Sequence, residues 1–297
     1  MTIKLRFWGT RGSIATPGPD TCRYGGNTSS IELSVGEQML VCDAGTGLRL
    51  LGIDWVGRAG RPTNVHLFLS HTHFDHIQGF PFFAPVFQKD VTIFLYDPTG
   101  RSDSNRDRIF GQMVPAYCPV SVRDLAARIV TVPFDRSISV SPNLTVEAIE
   151  QVHPGGSWGY AFEHEGQRLL YATDSELDFQ LLNANGENLN PQDERHFPAE
   201  VLAFYKNADL VVADSQYTDE EYRTRRGWGH ARFLTVVDLA AAARVRRLAL
   251  FHHDPRHTDS QMDSIVEQAR ERARQRGSDV EIFAAMEGNQ VSVGGDP

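Results

Sequence analysis

Apolar residues along this chain come in short runs broken by polar turns, not in long helical stripes. Lys4 to Trp8, Ser30 to Val35 and Met39 to Cys42 read as strands separated by glycine-bearing turns. Val65 to Ser70, VHLFLS, is almost continuously apolar, which predicts a strand buried on both faces. The same signal recurs at Val91 to Tyr96, Leu144 to Glu150, Tyr160 to Glu163, Leu169 to Ala172, Leu210 to Ala213, Leu248 to Phe251 and Val280 to Phe283. Helical periodicity is clearest over Ala231 to Arg244 and Ser260 to Arg276. Two sets of strands, with helices between and after them, predict an α/β domain.

Polar residues fall where these strands stop. LVCD ends at Asp43, LFLSHTHFDH brings in His71, AIEQVH ends at His153, LLYATD at Asp174, LVVAD at Asp214 and LALFHH at His252. In open α/β folds ligands collect at the carboxyl ends of strands, where loops converge on one crevice. A lone strand-end histidine is usually structural, but six metal-capable strand ends point to one shared site.

The densest stretch is Ser70-His71-Thr72-His73-Phe74-Asp75-His76. In a loop leaving a strand alternate residues point the same way, so His71 and His73 can grip one ion together. Asp75 and His76 follow as the chain turns into a helix and can face a second ion. Nitrogen and carboxylate ligands without thiolates suit zinc, and also manganese or iron. Two ions need further ligands, for which His153, Asp174 and His252 are the candidates, with Asp174 able to bridge. Asp43 either fixes the tautomer of a ligand histidine or simply turns the chain in Asp43-Ala44-Gly45-Thr46-Gly47.

Composition narrows the picture. The 297 residues are 41% hydrophobic and 23% charged, an ordinary globular balance. No apolar run approaches the ~20 residues a membrane helix needs, and the N-terminal MTIKLRFWGTRGS lacks the layout of a secretory signal. Cys22, Cys42 and Cys118 show no metal-ligand spacing, which predicts a reducing, cytoplasmic setting. The net charge of −9 argues against a protein that wraps long nucleic acid. Nearly all cations are arginines, side chains suited to phosphate.

HTHFDH, followed by a later His, an Asp after a strand and a final His, resembles the metallo-β-lactamase-fold hydrolase superfamily. The resemblance implies one domain over residues 1–297, a four-layered αβ/βα sandwich with two mixed sheets flanked by helices, and an insertion around residues 78–132 that contributes to the substrate pocket. It also implies two zinc ions, with manganese or iron as alternatives. His71, His73 and His153 would hold one ion, Asp75, His76 and His252 the other, and Asp174 would bridge. FHHDP offers His253 as well; His252 directly follows the strand and is preferred. Asp174 stands where β-lactamases carry cysteine, and His73 where flavodiiron oxidoreductases carry glutamate.

FWGTRGSIATPGP, RYGGNTSS, DAGTGLRLLG and GWGHA resemble the phosphodiesterase and tRNase Z branch, which makes His230 a candidate acid and Trp228 a candidate substrate contact; GWGHA also suits a plain helix start. tRNase Z itself fits less well. It pairs its histidine with glutamate in an HEAT-like motif, whereas this chain has Ala213-Asp214-Ser215-Gln216-Tyr217, and no basic glycine-rich arm is evident. Arg101, Arg106, Arg108, Arg123 and Arg128 are interleaved with aspartates. The expected substrate is therefore a small phosphodiester, a cyclic nucleotide or cyclic sugar phosphate. Phe80, Phe82, Phe83, Phe87, Tyr117 and Trp228 are offered as its walls. A water held between two ions loses a proton near neutral pH, so a bridging hydroxide oriented by Asp75 is the expected nucleophile, with His230 protonating the leaving alkoxide. Expected partners are this small substrate and, through self-association, a homodimer, with no membrane and no long nucleic acid. The rival readings are a lactone or thioester hydrolase, a tRNase Z-like endonuclease, and a non-catalytic metal-containing binding module.

Overall fold

A computed structural model describes residues 2–99, 104–181 and 195–294. Fourteen strands occur in chain order: β1 (Lys4–Gly9), β2 (Ser30–Val35), β3 (Gln38–Cys42), β4 (Asn64–Phe68), β5 (Thr92–Asp97), β6 (Arg128–Pro133), β7 (Ser137–Ser141), β8 (Leu144–Gln151), β9 (Ser157–His164), β10 (Gln167–Ala172), β11 (Leu210–Asp214), β12 (Arg247–Phe251), β13 (Glu281–Ala284) and β14 (Gln290–Ser292). The helices are α1 (Gly47–Val56), α2 (Phe74–Ile77), α3 (Ser104–Gly111), α4 (Leu177–Gln180), α5 (Ala199–Tyr205), α6 (Asp219–Tyr222), α7 (Phe233–Ala242) and α8 (Asp259–Gln275).

The strands form two seven-stranded mixed sheets, β14-β1-β2-β3-β4-β5-β6 and β13-β12-β11-β10-β9-β8-β7. In the first, β3 through β6 run parallel; in the second, β10 through β13 do. Phe7, Leu33, Phe68, Phe162, Tyr171 and Phe251 fill the space between the sheets. Trp55 and Leu48 of α1 cover the outer face of the first sheet, and α5, α7 and α8 cover that of the second. This is the four-layered αβ/βα sandwich, and VHLFLS is a central strand with parallel neighbours on both sides, as its apolar run predicts.

The hydrophobic pattern missed β6, β7 and β14. Each lies at a sheet edge and exposes part of both faces, so its alternation is faint. Helix α1 was missed as well: its glycine-rich start reads as a turn. Residues 78–132 contribute β5 and β6 to the first sheet, with α3 between them. Arg101 lies outside the described residues. Among the described residues, no helix is long and apolar enough to cross a membrane.

Parallel strands of both sheets stop at a common edge. β8 points the same way as β10, because two antiparallel steps through β9 separate them. The sheets are tied there by the Trp158 N–H donating to Ser70 O (2.8 Å) and the Tyr160 hydroxyl donating to Leu69 O (2.6 Å).

Candidate metal centre

Three strand ends turn sharply at this edge. Asp43 after β3, Asp174 after β10 and His252 after β12 all adopt left-handed backbone, with φ of 60°, 52° and 60°. Such conformations are costly for residues other than glycine and persist where the surroundings hold them. Here they swing three polar side chains back into the space between the sheets.

His71, His73 and His153 bring their ring nitrogens within 4.8 Å of one another. Asp75, His76 and His252 form a second trio on the same criterion. Asp174 lies between them. Its Oδ1 is 3.2 Å from His76 Nε2 and 3.2 Å from His252 Nε2, while its Oδ2 is 3.7 Å from both His71 Nε2 and His153 Nε2. One carboxylate thus offers one oxygen to each trio.

The outer ring nitrogens are occupied. His76 Nδ1 donates to Asp43 Oδ2 (2.7 Å), His252 Nδ1 to Gln216 Oε1 (2.8 Å) and His153 Nδ1 to Gly229 O (2.8 Å). Each bond leaves the Nε2 lone pair directed inward. Asp43 is itself held by Ser70 N, Ser70 Oγ and the Tyr171 hydroxyl at 2.7, 2.8 and 2.7 Å.

Whether these residues suit divalent ions can be tested on the donor set. His71 Nε2 is buried without a hydrogen-bond partner. His76 Nε2 and His252 Nε2 are 3.3 Å apart, and each lies within 3.2 Å of Asp75 Oδ2. Lone pairs and a carboxylate crowded in this way need a cation among them, and all are nitrogen or oxygen donors of the kind zinc, manganese and iron accept. The residues fit. Burial would raise the Asp75 and Asp174 carboxyls, yet the imidazoles around them hold both well below the ordinary carboxylate range.

His230 stands beside the cluster, its ring stacked on His252 with centroids 4.9 Å apart. Nδ1 is 2.9 Å from Asp214 Oδ2 at the end of β11 and 3.8 Å from Asp174 Oδ2. Burial disfavours its charge, but Asp214 outweighs that and lifts its pKa to about 9.

The structure brings every predicted ligand together, and of the two adjacent histidines it is His252 that enters. His253 turns away to Ala285 O (2.9 Å) and packs edge-on against Tyr24. Phe80 and Phe83 are core residues under α1, whereas Phe82, Phe87, Tyr117 and Trp228 are exposed. Sequence reading missed Gln216 and Glu176. The Glu176 carboxylate accepts Gly227 N (2.7 Å), Gly229 N (2.8 Å) and the Tyr222 hydroxyl (2.7 Å), and so shapes the loop that carries His230. Two glycines of the quoted motifs gain a reason. A Cβ on Gly229 would sit 2.2 Å from His153 Nδ1, and one on Gly12 would sit 2.4 Å from His252 Nδ1. Next to Gly12, Ser13 N donates to Asp75 Oδ2 (2.7 Å).

Two facing mixed sheets with a histidine and aspartate cluster at their common edge define a metallo-β-lactamase-fold hydrolase. Residues 39–253 match the model of the beta-lactamase superfamily domain, and the chain belongs to that family. It is 25% identical to "Ribonuclease Z" of Haloarcula marismortui, across 99% of this chain and 97% of the relative. It superposes on the metallo-beta-lactamase fold protein YhfI from Bacillus subtilis with a TM-score of 0.67 at 16% identity, covering 98% and 99% of the two chains. Human tRNase Z, short form, gives 0.64 at 18% identity, with the same coverage. The fold goes with divalent metal ions.

Proposed function

We propose that the protein is a phosphodiesterase acting on RNA, an endonuclease of the tRNase Z kind. The observation that carries this reading is the Asp214–His230 pair beside Asp174. On sequence alone tRNase Z fits less well, because the chain has no evident basic glycine-rich arm and lacks the HEAT-like glutamate. In the folded chain Asp214 supplies a carboxylate to His230 at 2.9 Å from the end of β11, so that objection falls. Relatives named Ribonuclease Z, which align over nearly the whole chain, weigh in the same direction, and against the small phosphodiester expected from the sequence. The net charge of −9 still favours a small substrate, so both are assayed.

His71, His73, His153, Asp75, His76 and His252 would hold two ions, with Asp174 shared. Bound there, divalent ions supply a water of lowered pKa and neutralise charge on the phosphoryl oxygens. The chain does the rest. Asp75, fixed by Ser13 N, orients the attacking oxygen. His230, held through Nδ1 by Asp214, presents Nε2 to the leaving oxygen and gives up its proton as the P–O bond breaks. Asp214 keeps the ring in place and stabilises its charged form. Zinc is the proposed metal, two ions per chain.

The test compares a precursor tRNA bearing a 3′ trailer with a 2′,3′-cyclic mononucleotide and a bis-nitrophenyl phosphodiester. Cleavage of the precursor is expected to be fastest, with His230→Ala losing ~10²–10⁴ in rate on it and much less on the nitrophenyl diester, whose leaving group hardly needs a proton. Turnover of the cyclic nucleotide alone would replace RNA by the small substrate.

A further inference from the structure

Beside His71 a cavity of about 460 Å³ opens from the metal centre. It is lined by Asn105 and Arg108 of α3, by Trp158 and Glu150, and by Asp135. Its size is that of a small-ligand pocket.

Asn105 is the informative residue. It is 5% exposed, and its side-chain amide makes no hydrogen bond with any described residue. Its backbone N–H, by contrast, is taken by Asp97 Oδ2 at 3.4 Å. A carboxamide carries two donors and an acceptor, which a ligand in the cavity can meet. Trp158 and Glu150 are register partners on β9 and β8, so they share one sheet face and border the cavity side by side. Arg108 reaches toward the metal ligands, its Nη1 donating at 3.4 Å to the hydroxyl of Thr72, the residue after His71. The cavity thus combines a cation close to the metal ligands, an indole, an amide and two exposed carboxylates.

We propose that this cavity is the subsite for one unstacked nucleotide next to the scissile phosphate, an inference that rests on the RNA phosphodiesterase reading. The phosphate side faces Arg108, which suits guanidinium recognition. The base stacks against Trp158, a contact open to any base. Its edge meets Asn105 and Glu150. A carboxylate can only accept, so Glu150 favours the exocyclic amino group of cytosine over uracil, whose one edge donor, N3–H, is flanked by two carbonyl oxygens that the carboxylate repels. A run of phosphates would be repelled by Glu150 and Asp135, which restricts the cavity to a single nucleotide.

The probes are CMP, UMP and inorganic phosphate, titrated calorimetrically into the full-length metal-loaded protein. As phosphomonoesters the nucleotides present no diester to cleave. CMP is expected to bind at least fivefold tighter than UMP and tenfold tighter than phosphate. Asn105→Leu and Trp158→Ala should each weaken CMP about tenfold, and Glu150→Gln should erase the difference between CMP and UMP. Arg108→Gln, at an exposed position that does not bear on folding, should weaken both nucleotides. Equal binding of CMP and phosphate, or nucleotide binding unchanged in Asn105→Leu and Arg108→Gln, would overturn the subsite. Precursor cleavage in the same samples separates the two readings. Cleavage with unchanged nucleotide binding in the variants removes the subsite alone, whereas nucleotide binding that depends on Asn105 and Arg108 without RNA cleavage keeps the subsite and removes RNA as substrate.

Discussion

Asp43→Asn isolates the residue that orients His76 without disturbing the backbone. Asp43 sits at φ 60°, and asparagine enters left-handed conformation as readily as aspartate does. The two side chains have the same shape. Their hydrogen-bonding capacities differ. The carboxylate accepts from Ser70 N, Ser70 Oγ, the Tyr171 hydroxyl and His76 Nδ1, all at 2.7 or 2.8 Å. An amide keeps one oxygen, which Ser70 N claims at the Oδ1 position. Its NH2 then faces the other three. The two hydroxyls can rotate and become acceptors. His76 cannot do so unless Nδ1 loses its hydrogen and Nε2 gains it.

That tautomer points an N–H at Asp75 and Asp174, where a metal ligand needs a lone pair. Loss of such an orienting partner typically costs 10–100-fold in metal affinity, equivalent to about 1.4–2.7 kcal/mol. We expect a loss in this range for the ion held by Asp75, His76 and His252, with the His71, His73 and His153 site changed much less. Competition against chelators of graded affinity, with metal content measured on the same samples, reads both ions. Denaturant unfolding of the metal-free variant controls for a general loss of stability. Affinities of both ions within twofold of the parent would refute the argument, since Asp43 would then be only a turn residue.

Glu176→Gln should lower kcat about tenfold or more with little change in KM. The amide turns a donor toward Gly227 N or Gly229 N and loosens the loop bearing His230, while Tyr222→Phe removes one donor only and should cost far less. Asp238 accepts bonds from Arg195, Arg272 and Arg276, two of them almost fully buried, so Asp238→Asn should destabilise by roughly 3–5 kcal/mol in denaturant unfolding and leave activity per folded molecule unchanged. His66, stacked on Phe94, has its pKa lowered by burial to about 4. The unfolded chain therefore binds this proton from about pH 6.5 downward and the folded chain does not, so its stabilising effect is full above that pH and is lost on acidification toward pH 4. The whole difference amounts to about 3 kcal/mol. His66→Gln should flatten that part of the stability profile, and an unchanged slope would dismiss His66 as its source.

The parts of the site that could be read from the sequence are those in which one short segment carries several donors. HTHFDH places four of the seven candidate ligands in six residues, because a short loop after β4 leads through the capping residue His73 straight into the first turn of α2. His153, Asp174 and His252 were legible because each follows an apolar run, although His252 and His253 could be separated only by position after the strand. Backbone geometry makes that choice: the left-handed turn at 252 sends one ring inward and the next toward Ala285. Sequence is silent about residues that act through such turns. Glu176 binds two backbone amides some 50 positions away, and Gln216 holds a histidine 36 positions on, so neither leaves a periodic trace. Asp214 shows why the missing glutamate weighed too heavily against tRNase Z. A motif search asks for glutamate at a fixed spacing, but His230 requires only a carboxylate oxygen within hydrogen-bond reach, and the end of β11 delivers one from a shorter side chain.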